Sequence, residues 1–204
     1  MKGNVLMYSS KAEDYLKKIV GVSDFYYALK RFDRETFNHS EEVARLAIMI
    51  AKKQGYSSDR LVNIAISGYL HDIGKIFTGI DIVGKKDALS NEEYNIIKEH
   101  PEVGYRHIKN FLDNEEVLLG ILQHHERVDG KGYPNQLEGD EISEFAKIIA
   151  VADVFSAMTS VRPYKKAFSC EKAFYIMINS KGFDYNILKT LVCLCLDGKV
   201  VGTL

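Results

Sequence analysis

The sequence predicts an all-α fold, a single helical bundle. Helix-start signals recur along the chain, and apolar residues return between them at helical spacing. Strand-like alternation is confined to Asp81-Ile82-Val83 and Val200-Val201. With 204 residues, 46% of them hydrophobic, the chain can bury the core of one large domain. The 27 Lys+Arg and 28 Asp+Glu nearly cancel, which argues against a disordered chain and against one that coats duplex nucleic acid. Cys170, Cys193 and Cys195 are odd in number and lack C-x-x-C spacing, so they suit neither a disulfide framework nor a zinc knuckle. No apolar run approaches the roughly 18 residues of a membrane span, and the N-terminus has no signal-peptide core. A soluble protein of the reducing cytoplasm is expected.

The elements follow in order. Ser10 with Glu13 reads as a capping box opening a helix to about Arg31, with Tyr15, Ile19, Phe25, Tyr26 and Leu29 on its apolar side. Asp33 suits the cap of a second helix that runs to Gln54 and stops at Gly55. Ser58 opens a third, to about Asp72. Ser90 and Glu93 form another capping box, and Pro101 suits the first turn of the helix after it. Helical patterns then cover 115–126, 143–159, 169–179 and 184–196. Residues 1–32 read as an N-terminal helical extension and 33–204 as the main domain.

Ionisable side chains that point inward carry the chemistry, because burial without a partner costs several kcal/mol. On the helix ending at Asp72 the inward stripe is Leu61, Ile64, Ala65 and Gly68, and His71 and Asp72 fall on either side of it. His124 and His125 likewise straddle the line of Val117, Leu118 and Ile121. Asp153 lies in a helix that is apolar nearly all round. His39 shares a face with Val43, Leu46 and Ile50, and Glu35 sits one turn before it. His100, preceding Pro101, is expected in an extended junction, while His107 is left to the core.

One inward histidine is ordinarily satisfied by a backbone hydrogen bond, and one buried aspartate by a basic residue. Together these residues are satisfied most simply by shared cations. Imidazole and carboxylate ligands without thiolate suit Fe, Mn, Co, Ni or Zn, and six or more of them suit two ions or more. After the histidine pair comes Gly130-Lys131-Gly132-Tyr133-Pro134, whose glycines allow close approach of a ligand. Lys75, Arg162 and Lys165 lie near these segments in sequence, and a metal site that gathers cations is expected to take a phosphate.

Read together, these segments resemble the HD-GYP branch of the HD-domain phosphohydrolases, from about Asp33 to Ala173. The resemblance rests on His39-Ser40, His71-Asp72-Ile73-Gly74-Lys75, Leu89-Ser90 with Glu92-Glu93, and His100-Pro101 with Gly104. It continues through the loop to Pro134, Ala152-Asp153-Val154-Phe155, and Thr159 to Tyr164. It implies an all-α fold around two or three divalent ions, commonly iron or manganese, and hydrolysis of cyclic di-GMP to pGpG and often to GMP. The implied ligands are His71, Asp72, His100, His124, His125 and Asp153, with Glu35 and His39 at positions that hold a third metal in some members. Lys75, Arg162 and Lys165 match phosphate- and guanine-contacting positions, and Tyr133 borders the pocket.

Two departures stand out. The family usually carries a second Asp three residues after the metal-binding one, where this chain has Ser156, and Phe77-Thr78-Gly79 replaces a stretch that typically holds a proline. No sensor domain is expected ahead of the catalytic unit, and regulation is expected through the N-terminal helix, a partner or expression. The Tyr- and Phe-rich face of that helix makes a homodimer an expectation too. The rival readings are a phosphohydrolase of cyclic GMP-AMP or a simple nucleotide, and a weakly catalytic module that senses the dinucleotide or docks a cyclase-domain protein.

Overall fold

The computed structural model describes residues 2–19, 21–32, 34–78, 90–160 and 166–200. Asp33, Asp81-Ile82-Val83, Arg162, Pro163, Lys165 and Val201 lie outside them. The helices are α1 (Lys2–Lys18), α2 (Val22–Phe32), α3 (Arg34–Lys53), α4 (Ser58–Leu70), α5 (Lys75–Thr78) and α6 (Asn91–Lys98). They continue as α7 (His100–Ile108), α8 (Glu115–Gln123), α9 (Glu144–Thr159), α10 (Cys170–Ser180) and α11 (Tyr185–Leu196). Among the described residues the one extended pairing is an isolated antiparallel bridge, Asp129 with Glu138. Among the described residues, none of these helices is long and apolar enough to cross a membrane.

Local signals explain most of the boundaries. Ser57, Ser90, Asn114, Ser143, Ser169 and Asp184 cap their helices through the side-chain oxygen, and Ser90 with Glu93 completes a capping box. Past α3, Gly55 takes a positive φ of 86°, which ends that helix where expected.

The N-terminal region differs from the expected single helix. The chain is helical from Lys2, Ser10 lies inside α1, and a break separates α1 from α2. Gly21 makes the break, with φ at 92° and the Phe111 ring so close that a Cβ would lie 2.4 Å from it. The turn folds α2 back against α3 and α4. Tyr26 and Leu29 are buried there, with Tyr26 edge-on to Phe37 and Tyr69, while its hydroxyl donates to Glu13 at 2.7 Å. Part of the aromatic face expected to dimerise is therefore spent inside the chain. Ala12, Leu16 and Val22 join the same core as α3 and α4, and burying a side chain such as Leu16 is worth about 2 kcal/mol.

The centre of the bundle is α3, packed against α4, α9 and α1. Helix α9 also meets α8, and α8 also meets α4 and α7. The ends of α4 and α8, the start of α7, the second turn of α3 and the middle of α9 thus converge on one interior region.

His100 departs from the extended junction expected before a proline. Glu99 is in the right-handed helical region and His100 begins α7, with Pro101 in the first turn. Proline restricts its predecessor but does not forbid the helix, and burial of His100 and Pro101 favours it here. The unusual Phe77 stacks on His107 with centroids 3.9 Å apart and meets Phe25 edge-on. That departure from the family pattern is thereby absorbed into packing between α2, α5 and α7.

Candidate metal centre

Each of three histidines sits where a helix ends or a new one begins, and the position orients it. The last turn of a helix leaves carbonyls without helical donors. His71 Nδ1 donates to Gly68 O, His100 Nδ1 to Ile97 O, and His124 Nδ1 to Ile121 O, each at 2.7 Å and each three residues back. A carbonyl only accepts, so Nδ1 carries the proton and Nε2 presents a bare lone pair. All three rings are buried.

Those lone pairs converge. Asp72, His100, His124 and His125 form one group and His39, His71 and Asp153 a second, with ligand atoms in each lying within 4.8 Å of one another. Seven of the eight expected ligands are thus gathered. Glu35 joins neither group; it is exposed in the first turn of α3. The two groups adjoin through consecutive residues, with His71 Nε2 3.4 Å from Asp72 Oδ2 and the His71 and His124 rings 5.0 Å apart.

The donor set fits divalent cations. His71 Nε2 is buried without a hydrogen-bond partner. His100 Nε2 and His124 Nε2 face each other at 3.2 Å, two lone pairs with no proton between them by the tautomer argument. Such a contact is repulsive unless a positive charge sits among the nitrogens. Asp72 Oδ1 lies 3.2 Å from His100 Nε2 and 3.9 Å from His124 Nε2, supplying the anionic ligand. Asp153 Oδ1 does the same in the second group, 2.9 Å from His39 Nε2.

The electrostatics agree. Burial opposes ionisation of Asp72, yet Lys75, His71 and His100 hold its carboxyl well below the usual range. Burial likewise opposes ionisation of Asp153, and His39, His71 and His125 outweigh it. Burial pushes His124 and His125 well down; His125, His71 and His100 reinforce this at His124, so both rings stay neutral as metal ligands require. His71 is the exception: burial opposes its ionisation, but Asp72 outweighs burial and raises its pKa, so the ring favours a second proton that a metal ion would have to displace. Lys75 Nζ donates to Asp72 Oδ2 at 2.5 Å and remains partly open to solvent, with 23% of its side chain exposed.

Tyr133 stacks on His125, with ring centroids 4.6 Å apart, and burial keeps its hydroxyl protonated by raising its pKa. Lys98 Nζ lies 5.1 Å from the Tyr133 ring and 5.0 Å from the Tyr94 ring, a cationic cover over that stack. Gly130 has the positive φ that the loop glycines allow, and the Tyr133–Pro134 peptide is cis.

Sequence reasoning missed the groups that support this centre. Glu126 is buried beside the histidine pair and accepts from Asn135 N at 2.7 Å and Leu137 N at 3.1 Å, clamping the loop to the end of α8. Arg127 donates to the carbonyls of His124 and Glu126 at 3.1 and 2.8 Å. The signal available was an acid and a base directly after two histidines, a pattern that alone also describes a solvated turn. Replacing Glu126 by Gln turns one acceptor oxygen into a donor facing an N–H. It is expected to cost about 1.5–3 kcal/mol, read as a lower urea midpoint with unchanged slope. An unchanged midpoint would show that the clamp contributes nothing.

A family model described as HD domain matches residues 27–187. The chain is 35% identical over 170 residues to the cyclic di-GMP phosphodiesterase response regulator RpfG of Xanthomonas campestris pv. campestris, covering 81% of this chain and 45% of that protein. It is 37% identical over 142 residues to 3′3′-cGAMP-specific phosphodiesterase 1 of Vibrio cholerae, covering 70% of this chain and 33% of that one. The chain thus spans less than half the length of these curated relatives. The fold is similar to that of Bd1817, an HDG"Y"P protein from Bdellovibrio bacteriovorus, with a TM-score of 0.68, 21% identity, and coverage of 94% of this chain and 64% of that one. With its two His/Asp groups and the loop through Tyr133-Pro134, the chain belongs to the HD-domain family.

Proposed function

We propose that this chain is a metal-dependent phosphodiesterase that hydrolyses cyclic di-GMP to linear pGpG, acting in the cytoplasm with two iron or manganese ions. The observation that carries the reading is the convergence of the His71, His100 and His124 lone pairs with two buried carboxylates in adjoining groups. Asp72, His100, His124 and His125 would hold one ion, and His39, His71 and Asp153 the other. When bound, such ions would supply Lewis-acid chemistry suited to a phosphate and to lowering the pKa of water.

The chain's own groups do the rest. Asp72 orients Lys75 through one of its ammonium hydrogens, leaving others to donate to a non-bridging phosphate oxygen, where charge builds in the transition state. Arg162 and Lys165 are proposed to add contacts to phosphate and guanine. Tyr133, protonated and stacked on His125, forms an apolar wall beside the phosphate and can donate its hydroxyl to the substrate. Water adds to phosphorus as the bond to the 3′ oxygen breaks, the proton that the water gives up ends on the 3′ oxygen, and pGpG results. Glu35 lies outside both groups, so a third ion forms no part of the proposal.

The test is turnover by purified protein loaded with Mn²⁺ or Fe²⁺, with products separated by chromatography. Formation of pGpG from cyclic di-GMP supports the reading. Faster cleavage of 3′3′-cGAMP would overturn the substrate assignment in favour of the mixed dinucleotide. Tight binding of cyclic di-GMP without product would overturn the enzyme in favour of a sensing module, to be tested for docking of a cyclase-domain protein.

A further inference from the structure

His39 is held differently from the other ligands. It lies inside α3, and its two ring nitrogens meet side chains of α9 rather than a carbonyl three residues back. Its Nδ1 instead lies 3.1 Å from the hydroxyl of Ser156, across the bundle on α9. Its Nε2 lies 2.9 Å from Asp153 Oδ1. Ser156 is buried, so water does not readily replace it.

The partner's chemistry matters. A backbone carbonyl only accepts and therefore admits one tautomer, as at His71, His100 and His124. A hydroxyl both donates and accepts, so it admits two. With the proton on Nε2, His39 donates to Asp153 and accepts from Ser156 at Nδ1. With the proton on Nδ1, His39 donates to Ser156, and the Nε2 lone pair can join Asp153 and His71 in holding a cation. Proton and cation thus compete for the same pair of atoms, and Ser156 accommodates either outcome. A carboxylate at this position would only accept, and would hold His39 in the cation-binding tautomer.

We propose that Ser156 is a positioning residue that keeps His39 in exchange between its two tautomers. The His39–His71–Asp153 position is thereby a reversibly loaded metal site beside the more firmly held Asp72–His100–His124–His125 position. The inference rests on the metal reading above but not on the identity of the substrate.

The test measures Mn²⁺ binding to the full chain by equilibrium dialysis. Nitrogen-15 spectra of the histidine rings, which separate the two neutral tautomers, are recorded on the same proteins before metal is added and without dinucleotide. The wild type is expected to show a tight and a weak class of site, with the weak class absent in His39→Ala. Ser156→Asp should strengthen the weak class and Ser156→Ala weaken it, each by roughly 10–100-fold, the range for losing or gaining a partner behind a ligand. The tight class should stay unchanged in both. His39 should become wholly Nδ1-protonated in Ser156→Asp and Nε2-protonated in Ser156→Ala. A weak class unmoved by both variants would overturn the proposal, as would a wild-type His39 already wholly Nδ1-protonated. Should Ser156→Asp fail to fold, Ser156→Ala decides through the same weak-class affinity and ring spectrum. Because no dinucleotide is present, failure here leaves the phosphodiesterase reading standing, and loss of turnover elsewhere leaves this one standing.

Discussion

Asp72→Ala is expected to abolish phosphodiesterase turnover and to strip metal from the protein in the same step. Asp72 is the one carboxylate in its group, and its two oxygens face four cationic or metal-binding partners: Lys75 at 2.5 Å, His100 at 3.2 Å, His71 at 3.4 Å and His124 at 3.9 Å. Its removal leaves imidazole lone pairs with no anion to balance a divalent charge. It also leaves Lys75 without its partner at the edge of the site. The loss in metal affinity should exceed the roughly 10–100-fold that follows removal of a group behind a ligand.

Asp72→Asn separates charge from shape, since the amide fills the same space without the negative charge. It should behave like Asp72→Ala in metal content and turnover while keeping the wild-type helical circular dichroism. Metal analysis and pGpG formation on the same samples give the answer. Full metal content with full turnover in either variant would sink the assignment of this group.

Gly74→Ala is expected to have the second largest effect, through packing. Gly74 lies in the turn between Asp72 and Lys75, and α7 passes directly over it. A Cβ there would sit 1.9 Å from the His100 carbonyl oxygen and 2.8 Å from Gly104 N, both backbone atoms that cannot rotate away. Either the turn carrying Asp72 and Lys75 or the start of α7 must move. Overpacking of this kind costs about 1–3 kcal/mol or more. The displaced His100 should lower metal occupancy as well, so thermal midpoint and metal content are expected to fall together. A stable variant with full metal content would show that α7 can shift without disturbing the site. Gly104→Ala is the milder comparison, since its Cβ would meet its neighbours at 3.2 Å or more.

Much of the site was legible because its signals are local. A histidine and an aspartate at the end of an apolar helix, or two histidines in a row, can be placed inward from 3.6-residue periodicity alone. The same periodicity left His107 to packing, and its Nδ1 indeed donates to the Val103 carbonyl at 2.8 Å while its ring stacks on Phe77. The first helix was less legible. Ser10 and Glu13 match a capping box by spacing, yet the chain is already helical from Lys2, because burial of Val5 and Tyr8 holds the preceding turns in place. The break at Gly21 depends on Phe111, which is distant in sequence.

The sequence by itself determined that the protein is helical, where most helices begin, and which six His and Asp residues point inward, His100 entering only through the family resemblance. Capping and amphipathic periodicity act over a few residues, so a linear reading contains them. Only the tertiary structure decided how those residues divide. The consecutive residues His71 and Asp72 enter different groups, and His39 meets Asp153 across 114 positions and Ser156 across 117. Such pairings follow from how α3, α4, α8 and α9 cross. Crossing geometry is set by the packing of whole helix faces, which no single stretch of sequence encodes.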